Sequence, residues 1–161
     1  MKKIIYALVL CMFLSSCATP MLLGEYPSNA YTITTNKSIN DVWDNVVDWF
    51  FSTQTPIALI DKDSGIITSG KISLRSFATD ERNKAPRDKN QYVVIPEDWT
   101  PEGLIINGKV TGRVKREGEK TKVSVFLGDL ECIPMIGTVR SVEIKSTGVF
   151  ENKWLEYVVS K

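Results

Sequence analysis

Two long runs of alternating apolar and polar residues, at 104–117 and 120–133, constrain the possible folds of this chain most strongly. Their apolar positions recur every second residue, the period of a strand with one buried and one solvent-exposed face. These positions include Val110, Gly112 and Val114 in the first run and Val123, Val125 and Leu127 in the second. Glu117-Gly118-Glu119 separates the runs, so they predict an antiparallel strand pair. Gly112 further predicts a bend over something bulky.

Two amphipathic segments predict helices that cover this sheet. The first begins at Ser38, which with Asp41 matches a capping box, and ends near Ser52. Its apolar face comprises Ile39, Val42, Trp43, Val46, Val47 and Phe50. The second begins at Ser146-Thr147-Gly148, and its apolar stripe comprises Phe150, Trp154, Tyr157 and Val158. Both stripes require a partner surface, which the buried face of the sheet provides.

The remaining segments predict short strands and one irregular excursion. Alternation and β-branched residues predict a strand at 30–35, and the turn residues 62–65 join strands 56–61 and 66–74 in a hairpin. Residues 76–90 are charged and aperiodic, which indicates an excursion or mobile loop, and 91–96 predicts a further strand. The sequence therefore predicts an α+β domain at 29–161, in which both helices lie on one face of an antiparallel sheet.

The first residues have the pattern of a secretory signal. Lys2 and Lys3 precede an apolar run from Ile4 to Leu14, which small residues follow. This run is too short for a membrane-spanning helix, which needs about 20 residues. We therefore expect residues 1–16 to be a signal peptide, and residues 17–28, with two prolines and a glycine, to form a tether. Met21, Leu22 and Leu23 could enter a lipid headgroup region or dock on the domain.

Leu14-Ser15-Ser16-Cys17 resembles the lipobox of bacterial lipoproteins. The resemblance implies that Cys17 carries a diacylglycerol, that the Ser16–Cys17 bond is cleaved, and that acyl chains such as palmitate hold the protein on a membrane. Ala18 stands where such lipoproteins carry Asp when they stay in the inner membrane. The expected location is therefore the periplasmic side of the outer membrane, or the cell membrane of a host with one membrane. A plain secretory signal, or a buried N-terminal strand, is the alternative.

The domain itself is similar to helix-grip domains, including those of the small lipoproteins of the Bam complex, and to TATA-box-binding-protein-like lipoprotein domains. The similarity rests on residues 38–70, including the Asp61–Ile66 turn, and on the Thr147-Gly148-x-x-Glu151 helix start. It implies a long helix gripped by a curved sheet, with space for an apolar ligand between them. The residues expected to line such a cavity are Trp43, Phe50, Phe150 and Trp154.

Composition disfavours most catalytic classes. The chain has no histidine, which removes the commonest general base and most zinc sites, and it has no Cys-x-x-Cys pair, Walker loop or Gly-x-Ser-x-Gly elbow. With 20 basic and 19 acidic residues it lacks the charge of a nucleic-acid binder. We expect no metal and no cofactor besides the covalent lipid. Carboxylate pairs such as Asp41 with Asp44, Asp61 with Asp63 and Asp80 with Glu81 leave a hydrolase as a distant alternative.

Two single residues and one charged cluster remain as candidates. Cys132 lies in an apolar context, so burial is favoured over an exposed thiol. Trp99 lies in a proline-bounded turn and either contacts a partner or caps the end of the sheet. Together with Arg82, Lys84 and Arg87 of the charged excursion, Trp99 forms a candidate protein-binding surface.

These observations lead to one functional expectation and its alternatives. The favoured function is a non-catalytic binding or scaffolding module in a bacterial envelope assembly, attached to the outer membrane through Cys17, with a protein partner and no nucleic acid. The first alternative is a periplasmic carrier of a lipid or another apolar molecule. The feature that separates the two is whether the space beneath Trp154 and Phe150 is filled or hollow.

Overall fold

The long alternating runs form two paired strands in the computed structural model, which describes residues 21–137 and 141–161. Those ranges contain two α-helices and mostly antiparallel strands in a mixed α+β arrangement. The helices are α1 (Ile39–Ser52) and α2 (Val149–Ser160). The strands are β1 (Tyr31–Thr35), β2 (Ile57–Asp61), β3 (Ile66–Ser69), β4 (Ile72–Ser73), β5 (Ala78–Arg82), β6 (Ala85–Pro86), β7 (Val93–Ile95), β8 (Leu104–Glu117), β9 (Lys120–Pro134) and β10 (Lys145–Ser146). The predicted signal peptide, the Ser16–Cys17 bond and Cys17 lie outside the described residues.

The larger sheet is built around β8 and β9, and its strand order is β1-β9-β8-β3-β2. The β8–β9 pair runs from Leu104 opposite Pro134 to Glu117 opposite Lys120, with a bulge between Asn107 and Lys109. All of its neighbouring strands are antiparallel, and β4 also pairs with β8. The predicted strand pair, the first strand and the β2–β3 hairpin are therefore confirmed.

A smaller sheet, with the order β10-β7-β5-β6, contains the segment that we expected to be an irregular loop. Within 76–90, residues 78–82 form β5, which pairs in parallel with β7. The prediction of a charged, mobile excursion is therefore wrong. The charged residues suggested a solvent-exposed loop, but Asp80 and Glu81 are buried. Asp80 pairs with Arg82 and Arg87, which replace the solvent around its carboxylate.

Both helices pack on the same face of the larger sheet. That face buries Val110, Val114, Val123, Val125 and Leu127, whereas Phe126 and the other outward-facing residues of β9 are at least partly exposed. The helices bury Val42, Trp43, Val46 and Phe50 from α1 and Phe150, Glu151, Trp154, Leu155 and Val158 from α2. The Ser38 hydroxyl accepts a hydrogen bond from the Asp41 amide at 3.1 Å, as the capping box predicts. The Asn45 side chain donates to the Val158 carbonyl at 2.9 Å and links the two helices.

The bulky group that lies over Gly112 is the indole ring of Trp154. A Cβ atom at position 112 would lie 3.0 Å from two carbon atoms of that ring and 3.3 Å from a methyl group of Ile67. The glycine therefore lets α2 approach the middle of β8 closely. This close approach seats the end of α2 against the sheet and positions the aromatic residues around it.

The core interpretation makes a direct prediction for Val46, which is completely buried on α1. Val46→Asp places an unpaired charge against apolar neighbours and should lower the free energy of unfolding by about 3–5 kcal/mol. Urea unfolding followed by circular dichroism measures this change. Phe51→Asp is the matched control on the same helix, because the Phe51 side chain is 72% exposed. Equal stability of the two variants would contradict the packing of α1.

Candidate functional site

A groove of about 600 Å³ opens between the C-terminal end of α1, strand β4 and helix α2. We call it the aromatic groove. Its lining residues are Trp49, Thr53, Gln54, Thr55, Pro56, Lys71, Ile72, Ser73, Leu74, Phe77, Tyr92, Phe150, Lys153, Trp154 and Tyr157. The elements that form it come from distant parts of the chain, and the sheet brings them together.

The walls of the aromatic groove are built from rings that support each other. The centroid of Trp49 lies 5.7 Å from that of Phe150 and 6.2 Å from that of Trp154, in edge-to-face geometry. Tyr92 contacts Phe150 edge-to-face at 5.4 Å, and Phe77 stacks on Tyr92 at 4.6 Å. Such pairs stabilise each other beyond simple burial, so the apolar walls are held in place without a ligand.

The charged residues that line the aromatic groove, among those the structure describes, are Lys71 and Lys153. The Lys71 ammonium lies 2.6 Å from the Glu131 carboxylate, and both side chains are about half exposed. The Lys153 ammonium lies 5.4 Å from the centre of the Tyr92 ring, a cation–π geometry. The groove therefore combines an apolar interior with two lysines in its lining, and the charge of Lys71 is already paired with Glu131.

The polar edge of Trp154 is the other notable feature of the groove wall. This side chain is 1% exposed, and its indole nitrogen has no hydrogen-bond partner among the described residues. A buried donor without a partner costs free energy, so Trp154 is held in place by its packing against Gly112 and the neighbouring rings.

Of the four residues predicted to line a cavity, Phe150 and Trp154 line the aromatic groove. Trp43 and Phe50 are buried in the core of α1 and do not line it. The lining residues that were not predicted to border a cavity include the aromatic residues Trp49, Phe77 and Tyr92. Trp49 could have been found, because it adjoins Phe50 at the end of an aromatic-rich helix. The others gave no signal, since their position depends on the smaller sheet.

The residues predicted as a partner surface are spread over the smaller sheet and the turn beside it. Arg82 and Arg87 are both bonded to Asp80, at 3.3 Å and 2.9 Å, and Lys84 is exposed at the turn between β5 and β6. Trp99 is partly buried against the core, and its indole nitrogen is also buried without a partner among the described residues.

Cys132, the free thiol of β9, is buried, as the sequence analysis favoured. Burial raises the pKa of the Cys132 thiol to about 11, so this side chain is neutral and unreactive at neutral pH.

The carboxylates considered for hydrolysis do not meet at the aromatic groove, since no Asp or Glu is among the described residues that line it. Asp61 instead accepts hydrogen bonds from the backbone amides of Asp63 and Ser64, at 3.1 and 3.2 Å, and closes the hairpin turn.

Among residues 21–137 and 141–161, no cluster of His, Cys, Asp and Glu could hold a metal ion. In the same ranges, none of the helices is both long and apolar enough to span a bilayer.

Glu151 is a buried carboxylate in the first turn of α2, away from any groove. It accepts hydrogen bonds from the Ser146 hydroxyl at 2.8 and 2.9 Å and from the Leu127 amide at 3.3 Å. Burial raises its pKa although these hydrogen bonds act in the opposite direction. The hydrogen bond from Leu127 joins the start of α2 to strand β9, so Glu151 has a structural role.

The raised pKa of Glu151 predicts a pH-dependent stability difference. Above the ordinary value of 4.5, the unfolded chain loses this proton more readily than the folded protein. The contribution of Glu151 to stability should therefore decline as the pH rises from 4.5 through the folded-state pKa. Urea unfolding of wild type and Glu151→Gln between pH 4 and 8 measures this difference. Parallel stability curves for the two proteins would contradict it.

Comparison with known proteins gives no relative from which a function could be transferred. No protein-family model matches the chain, and no curated protein is significantly similar to it. The groove and the sequence motifs are therefore the features from which a function can be inferred.

Proposed function

We propose that the protein is a lipid-anchored, non-catalytic binding protein of the bacterial envelope that holds an apolar ligand in the aromatic groove. The observation that carries this proposal is the hollow, aromatic-lined space beside Phe150 and Trp154. The anchor is the diacylglycerol expected on Cys17, and Ala18 favours the outer membrane as the site of attachment. Among the two binding functions that the sequence left open, the open groove favours a carrier of a lipid or small apolar molecule.

The dimensions and chemistry of the groove support a small ligand. Its volume of about 600 Å³ lies within the range of about 300–1,000 Å³ that is usual for small-molecule sites. Aromatic walls favour an acyl chain or ring, and the Lys153 ammonium beside the Tyr92 ring favours an anionic end group. We therefore propose an amphipathic anion, such as a fatty acid, as the ligand class.

The arrangement of the helices supports the finer proposal of a helix-grip fold. Strand β1 precedes the capped helix α1, the antiparallel strands follow, and α2 closes the chain over the same sheet face. In helix-grip domains a ligand lies between a long helix and the curved sheet. The aromatic groove occupies a related position, at the end of α1 and beside α2.

The groove chemistry also supports a non-catalytic role. A carboxylate hydrolase needs two carboxyl groups at one site, and the described lining offers none. The chain also lacks the histidine that most other hydrolytic mechanisms use. Catalysis consequently remains the least supported of the three functions.

One surface feature favours the scaffolding function as a second candidate. Strand β2 is an edge of the larger sheet, and both Leu59 and Ile60 on it are about half exposed. An exposed apolar edge is a template for pairing with a strand of another protein. A partner in an envelope assembly could bind there while the groove keeps its ligand.

The ligand proposal predicts that filling the groove abolishes binding. Thr53 lines the groove, so Thr53→Trp should weaken binding of the fluorescent probe N-phenyl-1-naphthylamine by about tenfold or more. Fluorescence titration measures the affinity, and displacement by palmitate tests the preference for an amphipathic anion. Phe51→Trp is the matched control, because Phe51 faces solvent two residues earlier. Equal, undiminished probe binding by both folded variants would contradict the groove as the site.

The anchor proposal predicts that replacing Cys17 prevents lipid attachment and signal cleavage in cells. Cys17→Ala removes the sulfur that would accept the lipid, so the variant should take up no radiolabelled palmitate and should persist as the unprocessed precursor. Metabolic labelling and the mass of the protein measure both effects. Cys132→Ala is the control, since its thiol is buried and should not affect processing. Normal maturation of the Cys17→Ala variant would refute the lipid anchor.

A further inference from the structure

Residues 22–26 form a strap that is docked on one end of the smaller sheet. The backbone amides of Leu23 and Gly24 each donate to the Glu81 carboxylate at 2.7 Å, and the Tyr26 hydroxyl donates to the same group at 2.7 Å. The Leu22 amide donates to the Glu143 carboxylate at 2.9 Å. The segment is therefore fixed to the sheet shortly after the position expected for the lipid.

The Glu81 carboxylate makes this docking strong, because its side chain is only 3% exposed. Burial alone would raise the pKa of Glu81, but the hydrogen bonds from Leu23, Tyr26 and Gly24 outweigh it and lower the pKa. All three donors belong to the strap, so release of the strap would break three hydrogen bonds to a charged group. A side chain at position 24 would clash with the Lys84 carbonyl, so glycine permits the close approach.

The docked strap limits how far a lipid on Cys17 could be from the folded protein. Leu22 lies five positions after Cys17, and a fully extended chain over five positions spans about 17 Å. An acylated Cys17 would therefore keep this end of the molecule close to the membrane surface.

Exposed apolar side chains lie on the strap and on the chain at the end of β9. Met21 and Leu23 are largely exposed on and beside the strap. The Val142 amide donates to the Cys132 carbonyl at 2.9 Å, which places the strap's contact Glu143 beside the end of β9. The apolar residues that follow there are also exposed: Ile133, Met135 and Ile136, the last of them to 91%.

We propose that this end of the molecule is a membrane-contact surface, at which Met21, Leu23, Met135 and Ile136 enter the headgroup region of the bilayer. The proposal rests on the lipid anchor at Cys17 proposed above. Two or three anchored acyl chains would hold the protein on the membrane, and the apolar side chains would then fix its orientation. The docked strap shortens the link between the lipid and the domain, which restricts how the domain can turn relative to the membrane.

The aromatic groove lies at the opposite end of the smaller sheet. Phe77 immediately precedes β5, and Tyr92 immediately precedes β7, its parallel neighbour. Glu81, in contrast, lies near the end of β5. Glu81 lies four positions after Phe77, which corresponds to about 13 Å along a strand. The proposed orientation therefore directs the groove away from the bilayer that carries the anchor.

Spin-label depth measurements on the lipidated protein in liposomes test this orientation. The background is Cys132→Ala with Cys17 intact and acylated, and single cysteines carry nitroxides at Leu23→Cys, Ile136→Cys or Thr53→Cys. Accessibility to oxygen and to a nickel chelate is then measured by electron paramagnetic resonance. The reference is the same labelled protein without the lipid, in solution. Relative to it, we expect oxygen access to rise and nickel access to fall at positions 23 and 136. We expect no change at position 53.

Two outcomes separate this inference from the proposed anchor. If the protein remains on the liposomes while positions 23 and 136 stay fully accessible to nickel, the membrane-contact surface is wrong and the anchor stands. If the protein washes off without detergent, the anchor itself is wrong and the inference fails with it. Slow label motion at position 136 without increased oxygen access would indicate a protein contact and would also overturn the proposal.

The strap is tested with Glu81→Gln, which removes the charge that the three donors surround. The label at position 136 should then lose its immersion although the protein stays membrane-bound. Glu25→Gln is the matched control, since Glu25 is an exposed strap residue. If Glu81→Gln unfolds the domain, Tyr26→Phe removes one donor and should cause a smaller change in the same direction. Unchanged immersion in folded Glu81→Gln and Tyr26→Phe proteins would refute the role of the strap.

Discussion

The pairing of β8 with β9 supports the larger sheet and both helices. These two strands bind β1 on one side and β3 and β4 on the other, and their buried valines form the surface on which both helices pack. Gly112 sets how closely α2 approaches, because any side chain there would meet the Trp154 ring. This contact fixes the middle of α2 against the sheet, and the aromatic groove lies between this helix and the end of α1.

Periodicity made the larger sheet and both helices predictable. Val110, Val114 and Val46 recur at the spacing that one-sided burial requires, and the structure buries all three. The smaller sheet gave no such signal. Asp80 and Glu81 occupy strand positions with little local preference for them, and their burial depends on Arg87 and on strap donors far away in the sequence. Long-range hydrogen bonds of this kind leave no periodic trace.

The groove was predictable only in part for the same reason. The apolar stripe of α2 identified Phe150 and Trp154, since amphipathic spacing shows which residues turn inward. It did not separate the residues that fill the core, such as Phe50, from those that border an empty space. That distinction depends on the shape left between α1, β4 and α2, and Tyr92 contributes to it from another sheet.

The strap connects the two proposals physically. Because three strap donors hydrogen-bond to the Glu81 carboxylate, the strap cannot leave the domain without losing three charge-assisted hydrogen bonds. The proposed anchor would thus hold the domain at one end and direct the groove at the other end into the aqueous space. A ligand in that groove would have to be exchanged with a soluble or facing partner and not with the bilayer beneath. The half-exposed edge strand β2 offers a surface on which such a partner could dock.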